Sequence, residues 1–205
     1  MKTKRQKTEV RREQIAEAAL AIISSQGMKA LTVARVAKML GLATSALYRH
    51  FSSKDEILEA VLALLGQRMA ANIDAACAET ENGLGRLHAL LTRHVRLVLE
   101  VRVIPRILFS DEIYGTMSGK SRFSLFAQDL RGRIQSIVEL GQARGEIRND
   151  FSAEDIAIMF LGVFVPPAIY FHASGGEFDI VTQVHQSWRL FVDAVRSDSG
   201  TREER

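Results

Sequence analysis

"TVARVAKMLGLATSALYRHFSSKDE", residues 32–56, decides how this chain is read. From Thr32 to Phe51 the apolar spacing is that of two short helices joined by a tight turn. Val33, Val36 and Ala37 face inward on the first helix, Gly41 supplies the turn, and Leu42 and Leu47 close a small core. Ala37 is small where the second helix must approach closely. A second helix held outward in this way fits the major groove of B-DNA. Thr32 and Ser53 stand where helix N-caps belong, and "SKDE", Ser53 to Glu56, reads as a capping box that opens a new helix at Lys54.

The residue types on the second helix divide by role. Leu47 and Phe51 anchor it. Thr44 and Ser45, short side chains at its N-terminal end, reach base edges, while Tyr48, Arg49 and His50 lie further along. Tyr48 and His50 donate to phosphates on the groove wall, and Lys54 with the free amides of the capped helix start forms an anion seat. Arg35 and Lys38, on the outer side of the first helix, suit solvent and phosphate equally.

Charge is distributed to match. Residues 1–54 carry 11 Lys/Arg against 3 Asp/Glu, whereas residues 55–205 carry 16 against 21, so a basic head sits on an acidic body. A polyanionic partner for the head follows, nucleic acid or an anionic surface. The opening "MKTKRQKTEVRREQ" reads as a basic arm, since no long apolar run follows it. One cysteine, Cys77, excludes an intramolecular disulfide and fits a reducing cytoplasm. The most apolar stretch, Ile156 to Phe171, is about 16 residues, short of the ~20 that span a bilayer, and is expected to be a buried helix.

Residues from about 10 to 62 resemble the DNA-binding domain of the TetR family of bacterial transcriptional regulators. The resemblance is carried by "IAEAALAIISSQGMKALTVARVAKMLGLATSALYRHFSSKDEILEAV", most specifically from Gly41 through "ALYRHFSSKDEIL". It implies that Thr32 caps the first motif helix and touches phosphate, that Tyr48, His50 and Lys54 do likewise, and that Thr44 and Ser45 match base-reading positions. One residue departs from the pattern. Ala43 stands where the family often has a capping serine or threonine, which shifts the expected cap to Thr44 and sets capping against base reading there.

Apolar residues recur at helical spacing along the rest of the chain, so the expected fold is all-α, about nine helices. A helix-turn-helix head, residues 1–56, precedes a helical ligand-binding and dimerisation domain, residues 57–205. Gly27, Gly41 and Gly145 are expected just past helix ends. The last two helices are apolar on more than one side, which requires two things to pack on. Leu161, Val165 and Ala168 on one, with Trp188, Phe191, Val192 and Val195 on the other, are expected to meet a second copy. For a ligand, Phe109, Phe123, Phe126, Phe160, Phe164 and Tyr170 supply aromatic surface, and His94 and Arg102 are placed to orient a polar group of a mainly apolar molecule. The same aromatic stripe also fits plain core.

Five histidines show no metal-type pairing, and neither a phosphate-cradling loop nor a nucleophile elbow is present, so neither a metal, a cofactor nor an enzymatic activity is expected. The expected function is a homodimeric repressor that binds a palindromic double-stranded DNA operator and is released by a small, mainly apolar effector. An activator or ligand-independent DNA-binding regulator is the first alternative, and a helical small-molecule binder or enzyme the second.

Overall fold

The computed structural model describes residues 2–102, 104–108 and 117–197. In order the helices are α1 (Lys2–Gln26), a 3-10 turn (Met28–Ala30), α2 (Val33–Met39), α3 (Thr44–Leu47), α4 (Lys54–Glu79), α5 (Gly83–Glu100), α6 (Ile104–Leu108), α7 (Met117–Ala143), α8 (Ala153–Ala173) and α9 (Ile180–Val195). Among the described residues the one trace of β-structure is an isolated bridge between Ile147 and Arg196. The fold is all-α, a helix-turn-helix head on a helical body. The basic arm is not a separate tail but the first turns of α1. Neither glycine nor proline interrupts residues 2–26, so nothing stops the helix.

Capping sets where the helices start. Thr32 Oγ1 accepts the Arg35 amide at 3.2 Å, Ser53 Oγ that of Glu56 at 3.2 Å, and Ser152 Oγ that of Asp155 at 3.1 Å. The expected capping box forms at Ser53 Oγ, but its return bond from Glu56 reaches one residue further back. The Glu56 carboxylate accepts the amide of Ser52 at 2.8 Å and its hydroxyl at 2.7 Å, and these bonds hold the Glu56 carboxyl below its ordinary pKa. Gly27, Gly41 and Gly145 have φ of 83°, 65° and 70°, left-handed values at the chain reversals expected of them.

Head and body share one core. Buried apolar side chains form a single contiguous cluster from Ile15 on α1 to Val195 on α9. The central element is α4, which packs against α1 in the head and against α5 and α7 in the body. At the crossing of α5 and α7 the backbones touch. A Cβ on Gly83 would sit 2.7 Å from the Gly141 Cα, so only glycine fits. Glu146, beyond α7, locks this crossing by accepting the amides of Gly83 and Leu84 at 2.6 and 3.3 Å.

Among the described residues α8 alone is long and apolar enough to cross a membrane. Its neighbours are α5, α6, α7 and α9, against which Ile156, Ala157, Phe160, Phe164 and Phe171 are buried. His94 on α5 is the one buried ionisable side chain among the described residues, at 3% exposure. Burial lowers its pKa to about 4.

Two stability predictions follow from these contacts. Gly83→Ala forces a methyl into backbone and is expected to cost about 1–3 kcal/mol in urea unfolding; an unchanged midpoint contradicts the crossing. For His94, the unfolded imidazole takes a proton near pH 6.5 while the folded one resists to about 4, so acid favours unfolding across that window. Wild type is expected to lose on the order of 3 kcal/mol more than His94→Gln between pH 6.5 and 4. Parallel stability curves for the two proteins contradict it.

Candidate nucleic-acid interface

The reversal between α2 and α3 is built by hydrogen bonds that leave little freedom. Leu42 N–H donates to Ala37 O at 2.9 Å and Gly41 N–H to Lys38 O at 3.2 Å, so the chain folds back over Ala37. The α-helix proper of α3 covers only Thr44–Leu47, but hydrogen-bonded turns extend it, His50 and Phe51 N–H both reaching Leu47 O. Leu47 and Phe51 are at most 1% exposed and fix the element to the core. Their counterparts point outward: Thr44, Ser45 and Arg49 are exposed, and Tyr48 is 54% exposed. A ring that large left in solvent, beside two fully buried anchors, marks a surface shaped for something else.

The cap of α3 differs from expectation. Ala43 is the N-cap and no side chain caps the helix, so the Thr44 hydroxyl is not spent on capping and stays available at the exposed tip. His50 and Lys54 are half-buried, and His50 Nδ1 is covered without a hydrogen-bond partner. Arg35 is tethered, its guanidinium donating to Gln26 Oε1 and Ala30 O, both at 3.3 Å.

Arg12 performs a role no short-range pattern reveals. Its guanidinium lies 4.1 Å above the Phe51 ring and donates to His50 O at 2.5 Å, clamping the end of the recognition element onto α1. A second tie joins head to body, an ion pair between Glu17 on α1 and Arg68 on α4.

In the body, a cavity of about 130 Å³ lies among α4, α5, α6, α7 and α8. Phe123, Phe126 and Phe164 line it as expected, joined by Met69 and Leu130. Phe160 instead packs edge-on against Trp188 and Phe191 within the core. Tyr170 is 63% exposed and lies against Phe178, and Arg102 is exposed over the Phe171 ring, so neither reaches the cavity. Phe109 lies outside the described residues. His94 is buried next to the cavity, its ring against Phe164 at 5.4 Å.

The residues expected to meet a second copy are buried or half-buried in the single chain. Leu161, Val165 and Ala168 line the cavity, Phe191 and Val195 are at most 2% exposed, and Trp188 stacks on Phe191 with Val192 half-buried. The exposed apolar groups of α8 and α9 are Ile158, Met159, Ile169, Tyr170, Val181 and Leu190, with Ile169 at the edge of the cavity. Among the described residues no three His, Cys, Asp or Glu side chains converge as metal ligands.

Comparison with known proteins agrees with this geometry. The family described as bacterial regulatory proteins, tetR family, matches residues 15–61. Nucleoid occlusion factor SlmA of Idiomarina loihiensis is 30% identical over 129 residues, 63% of this chain and 64% of that protein, just under two thirds of its length. HTH-type transcriptional repressor KstR2 of Rhodococcus jostii is 22% identical over 190 residues, covering 91% and 92%. The solved structure of the transcriptional regulator FadR from Bacillus subtilis, in complex with stearoyl-CoA, superposes with a TM-score of 0.75 at 18% identity, covering 89% of this chain and 98% of that one, and so shares its fold. A helix-turn-helix whose second element is anchored by Leu47 and Phe51 and offered to solvent lies within the matched segment, so residues 15–61 form the DNA-binding domain of the TetR family of bacterial regulatory proteins.

Proposed function

We propose that the chain is a cytoplasmic, homodimeric repressor that holds a palindromic operator when its body is empty and releases it when a small apolar molecule enters the cavity. The observation that carries the DNA reading is the pairing of buried Leu47 and Phe51 with exposed Thr44, Ser45, Tyr48 and Arg49 on one short element. In this reading Thr44 and Ser45 read base edges; Thr32, Tyr48, Arg49, His50 and Lys54 contact phosphate. Residues 1–56 act as the DNA-binding part and 57–205 as the regulatory part, without catalytic activity.

For the dimer, the exposed apolar groups of α8 and α9 supply the contact, in place of the buried and half-buried residues expected from the pattern. Apolar side chains gathered on two adjacent helices call for a cover, and a two-fold axis presents two heads to half-sites about one DNA turn or more apart. The effector reading is supported by the near-absence of polar groups around the cavity and by the acyl-CoA complex of the FadR neighbour. Coupling runs through Phe126. Its ring lines the cavity and also lies 3.4 Å from where a Gly66 Cβ would be, so an occupant that displaces it presses on α4. Two residues on, Arg68 carries that displacement to Glu17 of the head. A coupling of about 1–3 kcal/mol changes operator affinity about 5- to 150-fold.

Selection from a randomised duplex library, followed by affinity measurement, tests the head. Wild type is expected to enrich an inverted repeat. Tyr48→Phe and Lys54→Ala are each expected to weaken every selected site at least about tenfold with the preferred sequence unchanged, the lysine variant also lowering the salt slope by about one per protomer. Ser45→Ala is expected to change the preferred bases; a uniform loss with the same preference removes Ser45 from base reading. For the dimer, Met159→Glu or Leu190→Glu is expected to halve the mass in sedimentation velocity and abolish high-affinity operator binding. An unchanged mass in both variants places the contact elsewhere.

A further inference from the structure

A buried polar pair stands one helical turn behind the apolar wall of the cavity. Met69 and Val98 belong to its wall, and one helical turn from each stand Asn72 on α4 and His94 on α5. Asn72 turns its amide nitrogen to His94 Nδ1 at 3.3 Å. An amide donates, so Nδ1 accepts and the imidazole proton resides on Nε2. That Nε2 is buried and without a hydrogen-bond partner. A donor left so is costly to the fold, and in native proteins such a group calls for an explanation. Phe164 links the two, since its ring belongs to the cavity wall and lies 5.4 Å, centre to centre, from the imidazole.

We propose that His94 Nε2–H is the recognition donor for the effector, and that the effector is a neutral, largely apolar molecule carrying one carbonyl-type oxygen, admitted to His94 when the Phe164 ring turns aside. This rests on the reading of the cavity as the effector site. Neutrality follows from the described lining residues, none of which is charged, so among them a carboxylate would lose its water and meet no cation to replace it. The oxygen follows from the tautomer, because a lone N–H asks for an acceptor and a hydrocarbon offers none. Size follows from the volume. About 130 Å³ is close to the ~150 Å³ that admits one benzene ring, so a larger molecule enters only by displacing Phe126 or Phe164. Recognition and coupling then meet in the same aromatic wall.

The test uses the full-length protein and three matched probes: acetophenone, its hydrocarbon isostere α-methylstyrene, and benzoate. Long-range nitrogen–proton spectra of the imidazole read the tautomer, and chemical-shift titration reads the affinities. The expected result is a free-state Nε2–H tautomer whose resonance moves with acetophenone. Acetophenone should bind at least about tenfold more tightly than α-methylstyrene, with benzoate weakest. His94→Gln, which keeps a donor, is expected to retain that preference and His94→Leu to lose it. Equal binding of acetophenone and α-methylstyrene, or a preference that survives in His94→Leu, overturns the hydrogen bond while leaving the cavity as a binding site. Binding of neither overturns the cavity reading as well. Should the leucine variant not fold, a wild-type Nδ1–H tautomer, or an Nε2 resonance unmoved by bound acetophenone, overturns the proposal on its own.

Discussion

One helix belongs to two parts of the molecule, and the rest of the account depends on that. The 26 residues of α4 form a rod of about 39 Å. Ile57, Leu58 and Val61 bury in its N-terminal half, where it lies against α1; Met69, Ile73 and Ala76 bury in its C-terminal half, inside the body. A division of labour at residues 56 and 57 therefore falls within the first turn of a helix that both parts need. The head cannot tilt without moving a rod packed in the body. Close-packed interiors shift between discrete arrangements rather than deform smoothly, which is the property the proposed route from Phe126 to α3 relies on.

Electrostatics works in the same direction. Basic residues dominate up to Lys54 and acidic ones thereafter, so the field attracts DNA to one end and repels it from the other. Encounters are thus oriented before any contact forms. The clamp by Arg12 adds precision at close range, because a cation spent on the Phe51 ring and the His50 carbonyl holds the short α3 element that its own few hydrogen bonds would leave loose. Nothing caps α3 itself, and tertiary contacts take the place of the missing cap.

Much of this was legible in the residues, and the exceptions have physical reasons. Helix starts at Thr32 and Ser53 and reversals at Gly27, Gly41 and Gly145 are local chemistry, and they read correctly. The recognition element was legible because Leu47 and Phe51, four apart, take the inward side and leave Thr44, Ser45, Tyr48 and Arg49 exposed. The body was harder. α8 is apolar around most of its circumference, so periodicity could not say whether Leu161 and Val165 or Ile158 and Met159 face out, and the former turned out to line the cavity. Phe160 and Tyr170 were assigned to the cavity by type alone, yet one packs on Trp188 and the other faces solvent. Arg12 on His50 and Glu146 on Gly83 join residues 38 and 63 positions apart, distances at which no sequence pattern points. The return half of the capping box was a near miss, since Ser52 and Ser53 are adjacent and only the geometry chooses which amide Glu56 accepts.

The shared rod makes a direct demand on how the protein unfolds. Trp188, the single tryptophan, reports on the body, and a fluorine label at Tyr48 reports on the head. Urea unfolding followed by both probes is predicted to give coincident midpoints, because a core contiguous through α4 melts as one cooperative unit. A head transition completed at clearly lower urea, with Trp188 still native, contradicts the account: α4 would then join the two parts without coupling them.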